Sequence, residues 1–346
     1  MATPISIDPP SCLPVQDGVT LIPGVSIEYI SSTLGKMAAE SYDRVLPRSD
    51  FTPTHVVITD VPLYVRELLN RLRSQGYSDK QLALEPPPED WPDLFSEHPL
   101  EMHVDARAIV RQVLLSSVLL QRFSFKLGGS VQIEKKTGQA TPYFVLSSVG
   151  LGVEESSSYF VSSALPKTTP DVIDSNNLCR VFAQLEPYCR PGFWKADRFA
   201  TALACFWTGL CTPYGQQAFL SMMSIFDALL STTKTEVTHV ISERTSYFLG
   251  QTEEERYSTY RQMKKLYNIR SQIVHGDIKM KPGPITLEQL RIDAVLQIVP
   301  SSAMAELATK AVTLLKLVLN DSKLMNAIQQ QNSDALDEFY LRKSFR

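Results

Sequence analysis

Cysteine is scarce: Cys12, Cys179, Cys189, Cys205 and Cys211 are the only ones in 346 residues. No two form a C-x-x-C pair, so the ligand spacing of a structural zinc site is missing. An odd count in so long a chain does not read as a disulfide framework, and a cytoplasmic location is expected. Long apolar runs are lacking too. The longest, Ala311 to Leu319, is interrupted by Lys316 and falls short of the roughly 18–20 residues of a membrane span, so no membrane partner is expected. Residues 1–20 carry acids and prolines but no basic-then-apolar order, which speaks against a secretory signal. Nor is there an excess of positive charge: 34 Lys and Arg face 37 Asp and Glu, a formal net charge of -3. Any contact with nucleic acid must therefore come from a local patch. The glycines at Gly128-Gly129 and Gly150/Gly152 lack the context of a P-loop, a dinucleotide fingerprint or a nucleophile elbow. Internal repeats and low-complexity tracts are absent, and nothing calls for a cofactor or a metal.

What is present is an ordinary globular composition, 44% hydrophobic and 21% charged, in a chain longer than one core usually organises. Two domains are expected: a mixed α/β region over 1–190 and a helical domain over 197–346, with the boundary between Pro166 and Trp194. The fold class is mainly α. Residues 1–25 are rich in proline and small residues, and no regular structure is expected there. Ser31 to Ala39 reads as weakly helical. Leu63, Val65, Leu68, Leu69 and Leu72 predict a helix over Val61 to Gln75, stopped by Gly76. The run from Ala106 to Leu120 is so apolar that helix and buried strand remain alternatives. Alternation predicts strands within 130–163.

From Asp197 the pattern becomes helical. Helices are predicted over Ala200 to Leu210, Gln216 to Leu230 and Thr235 to Leu249. The second is apolar on most sides and should be central. A fourth opens with Thr252-Glu-Glu-Glu255, the pattern of a capping box, and runs to His275, where Gly276 stops it. A fifth spans Leu287 to Ile298. The last runs to Leu319, with Ser301 or Ser302 as its cap.

On the wheel of the fourth helix, Met263, Leu266, Tyr267, Ile273 and Val274 lie within about 60° of Arg270. Arg270 thus falls at the centre of the face expected to be buried, where a charge is costly unless paired. Asp227 shares a face with Leu220, Met223 and Leu230 and is the expected partner. The two make either a structural ion pair or a braced arginine whose fork of donors can hold a phosphate. His275 follows at the helix end, where a histidine also suits the helix dipole. Residues 253–281 hold seven basic residues against four acids, a local net of +3 among Tyr257, Tyr260 and Tyr267. Within this patch Lys264, Lys265, Tyr267 and Lys279 are candidate RNA contacts, and a solvated helix face is the plainer reading. Glu236, His239, Glu243 and Tyr247 line one side of the third helix without a second ligand pair for a metal. Glu243 is a candidate second carboxylate near Arg270.

Leu266-Tyr-Asn-Ile-Arg-Ser-Gln-Ile-Val-His-Gly276 resembles the signature of HEPN domains, an arginine followed four to six residues later by a histidine. Phe219 to Leu230 and Ile241 to Gly250 are similar to the preceding helices of the ApeA-like branch. The resemblance covers about 197–319. It implies a helical domain that often dimerises and brings two arginine–histidine pairs to one cleft. Many members are metal-independent ribonucleases of toxin, antiphage or RNA-processing systems; others are inactive or bind nucleotides. By motif position Arg270 and His275 become the catalytic pair. Ser271 fills the position after the arginine, where the family often has a polar residue such as asparagine, and Asp227 matches an acidic position, usually glutamate, that the resemblance implies orients the arginine. The expectation is an endoribonuclease acting on RNA as a homodimer, under the control of a regulatory protein or ligand. The alternative is a non-catalytic module that binds a nucleotide or a protein.

Overall fold

The computed structural model describes residues 2–6, 18–29, 55–59, 70, 73–74, 99–121, 126–127, 130–133, 140–143, 172–189, 197–212, 215–233, 236–276, 299–329 and 333–344. The chain divides into two compact units. The first comprises Met1–Ser117, Phe125–Phe160 and Thr168–Phe193; the second comprises Val118–Ser124, Val161–Lys167 and Trp194–Arg346. Helices dominate the described residues, in keeping with a mainly α class. Among those residues no helix is long and apolar enough to cross a membrane.

The first unit is built on antiparallel strands. These are β1 (Ala2–Ser6), β2 (Val19–Ile22), β3 (Val25–Tyr29), β4 (His55–Thr59), β5 (Lys126–Leu127), β6 (Ser130–Ile133) and β7 (Ala140–Tyr143). They pair in the order β2-β3-β4-β1-β6-β7, with β5 also on β1. Three strands therefore lie wholly or partly within residues 1–25, where composition predicts none. The signal is period two rather than composition: Val19, Leu21, Val25 and Ile27 are buried and Thr20 is exposed. Helix α1 (Pro99–Leu120) resolves the ambiguity of the apolar run. Ser116 and Ser117 return their hydroxyls to the carbonyls of Gln112 and Val113, at 2.6 and 2.8 Å, which lets polar side chains sit in a buried helix.

Helix α2 (Ser175–Cys189) falls in the segment expected to be a boundary. Leu178, Val181, Phe182 and Leu185 form a helical stripe and are buried. The Cys179 thiol donates to the Thr20 carbonyl of β2 at 3.6 Å.

The second unit is all helical where described. It contains α3 (Arg198–Cys211), α4 (Gly215–Leu230), α5 (Val237–Leu249), α6 (Glu253–His275), α7 (Ser301–Asn320), α8 (Ser322–Gln329) and α9 (Ser333–Ser344). Helix α4 is central, packed on α3, α5, α6 and α7. Its Phe219, Met222, Met223, Ile225, Phe226, Leu229 and Leu230 are buried. The capping box at Thr252 and Glu255 forms as expected. Gly276 ends α6 in the left-handed conformation, φ 70°, which only glycine adopts without strain. Gly250 ends α5 for another reason: a Cβ there would lie 2.6 Å from the backbone nitrogen of Arg256.

Pro300 rather than Ser301 or Ser302 takes the cap position of α7, with no side-chain hydrogen bond; its fixed φ suits a helix entry. The helices α8 and α9 lie beyond the last helix that the sequence pattern predicts. The expected helices at Ser31 to Ala39 and Leu287 to Ile298 lie outside the described residues. So does most of Val61 to Gln75, where only residues 70, 73 and 74 are described and are helical.

Candidate functional site

Asp227 and Arg270 are the residues from which the site is best built. Asp227 stands on the last turn of α4, and Arg270 sits near the end of the long helix α6. Their side chains meet, Arg270 Nη2 to Asp227 Oδ2 at 3.4 Å. The pair is not buried. The side chains are 37% and 27% exposed, and Val274, expected on the covered face, is 55% exposed. The apolar stripe of α6 is carried by Met263, Leu266 and Tyr267, and Arg270 lies at its open end. The expectation of an arginine at the centre of a sealed face is therefore corrected. The core ends one turn earlier, so the guanidinium keeps water on one side.

Tyr267 has a different part from the RNA contact expected of it. It is only 4% exposed. Its hydroxyl donates to Asp227 Oδ1, and the Arg270 guanidinium lies 5.6 Å from its ring centroid. Burial, then the charge of Asp227 and the hydrogen bond to it, push the phenol far above its ordinary value; Arg270 partly opposes this. The phenol stays protonated and so stays a donor. Asp227 thus has one oxygen held by Tyr267 and the other facing Arg270, while the ring supports the guanidinium from beneath. Cys205 of α3 is close enough to feel the same carboxylate. Burial first, and Asp227 second, raise its thiol and keep it neutral.

Arg270 opens on a cavity of about 440 Å³. The walls come from four helices: Arg198 and Thr201 of α3, Asp227 and Ala228 of α4 with Ser231 just beyond, Val237 and Thr238 of α5, and Tyr267 and Arg270 of α6. Sequence reasoning misses Arg198. Its Nη1 donates to the carbonyl of Ser231 and, at 3.4 Å, to that of Ala228, closing the end of α4. One sign of it is available. A cation in the first turn of a helix opposes the dipole, so its reason must lie outside that helix.

The remaining candidates are not drawn into the cavity. His275 is exposed at the last position of α6 and is not among the lining residues. Five helical residues carry it about 140° around the axis and about 7.5 Å along it from Arg270. Ser271, Lys264 and Lys265 are exposed. Lys264 lies over the ring of Tyr260, 5.5 Å from its centroid. Lys279 lies outside the described residues.

Glu243 does not approach Arg270. It is exposed, and α5 and α6 run antiparallel, with His239 Nδ1 2.9 Å from the Tyr260 hydroxyl. That register leaves Arg270 about ten residues, or roughly 15 Å, beyond Tyr260. Glu243 lies the other way, toward the turn. His239 itself is exposed and meets Tyr260 edge-on.

What the arrangement can do chemically is hold an anion. Two guanidinium groups and one carboxylate line the cavity, with three hydroxyls of serine and threonine among them. No protein-family model matches the chain, and neither a curated protein nor a solved structure was found to be similar to it.

Proposed function

We propose that this chain is a metal-independent endoribonuclease of HEPN type, with Arg270 as the phosphate-gripping group and His275 as the proton-transfer group. The observation that most supports the reading is the braced arginine. Arg270 is half-exposed at a cavity wall, steadied by Asp227 and Tyr267, with most of its donors turned to no carboxylate.

Cleavage of this kind removes the proton of a ribose 2′-hydroxyl. The 2′-oxygen then attacks phosphorus, and the bond to the 5′-oxygen breaks as that oxygen takes up a proton. The products are a 2′,3′-cyclic phosphate and a 5′-hydroxyl. An imidazole titrating near neutral pH can move those protons, and a guanidinium can hold the extra charge on the phosphorane-like transition state. DNA lacks the 2′-hydroxyl and resists. Within one chain Arg270 and His275 face different ways, so the reading requires a homodimer in which the arginine of one copy works with the histidine of another. A toxin or antiphage role, restrained by a regulatory protein or ligand, fits such an activity.

The test is digestion of total cellular RNA by the purified full chain, with and without chelator. Cleavage should survive the chelator and be lost in both Arg270→Ala and His275→Ala, with circular dichroism unchanged. Undiminished cutting by both variants removes the proposal. One observation favours a second reading, a module that binds a nucleotide without turnover: among the described residues the cavity wall holds Arg270 but no histidine. Calorimetric binding in a chain that leaves RNA intact decides for it.

A further inference from the structure

We infer that the outward face of α6 between Tyr257 and Lys265 is a docking track for single-stranded RNA, holding the strand about 15–27 Å along the helix from His275. The inference rests on the proposed cleavage for the identity of the strand. It adds a second place of contact, away from the cavity, and a dependence on substrate length.

Charge of one sign is the first argument. From Arg256 to Gly276 the chain carries five cations and no acid, within a protein of net charge -3. Tyr257, Arg261, Lys264, Lys265 and Asn268 are all exposed. They fall within about 100° of one another on the helix wheel. Other helices of the same unit treat their cations differently. Lys310 of α7 has Glu306 four residues before it, at 3.7 Å, and Arg342 of α9 is paired with Glu338 at the same spacing. On α6 the residue four before Arg261 is Tyr257, before Lys264 it is Tyr260, and before Lys265 it is Arg261. Among the described residues none of these three cations has a carboxylate partner. An ordinary solvated face mixes its signs, and like charges at this spacing destabilise a helix. Folding gains nothing from such a row. A polyanion crossing the face supplies the missing charge.

Aromatic rings make the second argument. Arg261 lies over the ring of Tyr257, 5.7 Å from its centroid, and Lys264 over that of Tyr260 at 5.5 Å. His239 Nδ1 holds the Tyr260 hydroxyl at 2.9 Å, which steadies that ring beneath its cation. Tyr257 is 64% exposed. A ring left in water beside a cation is a platform on which an unpaired base can stack while the cation meets the phosphate. Such stacking needs bases free of pairing, and the deep major groove of duplex RNA is closed to side chains. The face therefore selects single strands.

Position is the third. His275 lies on the same arc of α6 as Tyr257. A strand laid along the helix thus passes from the track to the proposed proton-transfer group. At the other end Glu253, Glu254 and Glu255 are exposed in the first turn, where they repel phosphate and mark the limit of the track.

The experiment is fluorescence anisotropy on the full chain with a 2′-O-methyl RNA strand, which cannot be cut, and with the same strand annealed to its complement. The single strand should bind more tightly. The triple variant Arg261→Gln/Lys264→Gln/Lys265→Gln should weaken its binding about tenfold or more. The slope of log K against log salt should flatten by about 2, as the loss of three phosphate contacts on a single strand predicts. Glutamine is a good helix former, so circular dichroism should not change. Tyr257→Ala should weaken the single strand several-fold. Arg342→Ala, which removes a cation from the exposed face of α9, should leave binding unchanged. In cleavage the native chain should show a lower KM for a long strand than for a dinucleotide, and the triple variant should narrow that difference. Unchanged affinity and salt slope in the triple variant, or duplex binding no weaker than that of the single strand, overturns the inference. So does equal binding of polyglutamate, which would assign the face to an acidic protein. Binding that needs the three cations in a chain that leaves RNA intact preserves it and removes only the nuclease reading. Cleavage that needs Arg270 and His275, with the triple variant binding and cutting long RNA at full strength, does the reverse.

Discussion

Two arginine–aspartate pairs stand at the end of the same helix and are held very differently. Arg244 is 14% exposed. It meets Asp337 at 2.6 Å, donates to the Leu230 carbonyl at 2.6 Å and to Thr232 at 2.9 Å, and stacks on Tyr340 at 4.3 Å. Arg270 is 37% exposed, meets Asp227 at 3.4 Å, and makes no other hydrogen bond among the described residues. One guanidinium has spent its donors inside the protein; the other has kept them. Arg244 points inward and fastens α4 to α9, whereas Arg270 faces the cavity. The same residue types thus read as structure in one place and as a site in the other, and what separates them is the number of donors left over.

The contrast can be broken most forcefully at Arg244. Arg244→Ala should cost about 2 kcal/mol by urea denaturation, because the Leu230 carbonyl loses this donor and Asp337 is left with the Thr232 hydroxyl. RNA cleavage by the surviving fold should persist. A smaller loss in that variant than in Arg270→Ala would invert the assignment. Alkaline pH probes the same cluster. Burial pushes the Tyr340 phenol up to about 12, with Arg244 and Arg198 opposing and Asp337 adding to it. A folded value above the ordinary one of 10.0 means that its contribution to stability is intact below pH 10 and fades as pH rises through about 12. Tyrosinate absorbance should show a late step that disappears in Tyr340→Phe.

Tyr267→Phe keeps the ring and removes the donor to Asp227. A loss of about 1 kcal/mol is expected. RNA cleavage should fall further than stability does, since Arg270 loses its steadied partner. Arg270→Ala should cost under about 1 kcal/mol, as half-exposed pairs do, while cleavage is abolished. His275→Ala should change stability by no more than about 0.5 kcal/mol, because the side chain is exposed. Its effect on cleavage should nonetheless equal that of Arg270→Ala.

Much of the second unit is legible from residue order. Helices α3 to α6 carry strong period and clear stops, and Thr252 with Glu255 marks an entry that the structure reproduces. The pairing of Asp227 with Arg270 is legible because each breaks an apolar stripe. Their exposure is not, because a wheel gives direction without saying where a core stops. Tyr267 misleads for a related reason: its hydroxyl needs a partner on another helix, and a basic neighbourhood hides that. Helix α2 is lost under prolines at its edges and Pro187 within it. Arg198 goes unseen because its role depends on carbonyls at the far end of α4, about 30 residues away and invisible to local pattern.

The carbonyls of that last turn have a consequence of their own. Arg198 from α3, Arg244 from α5 and the Tyr340 hydroxyl from α9 all terminate there, within four residues of Asp227. Three helices are thereby tethered to a single knot of backbone. A deletion of α9 should slacken that knot and so reach Asp227, although no residue of α9 is among those that line the cavity. Helix α9 is in this sense part of what holds Asp227 in place.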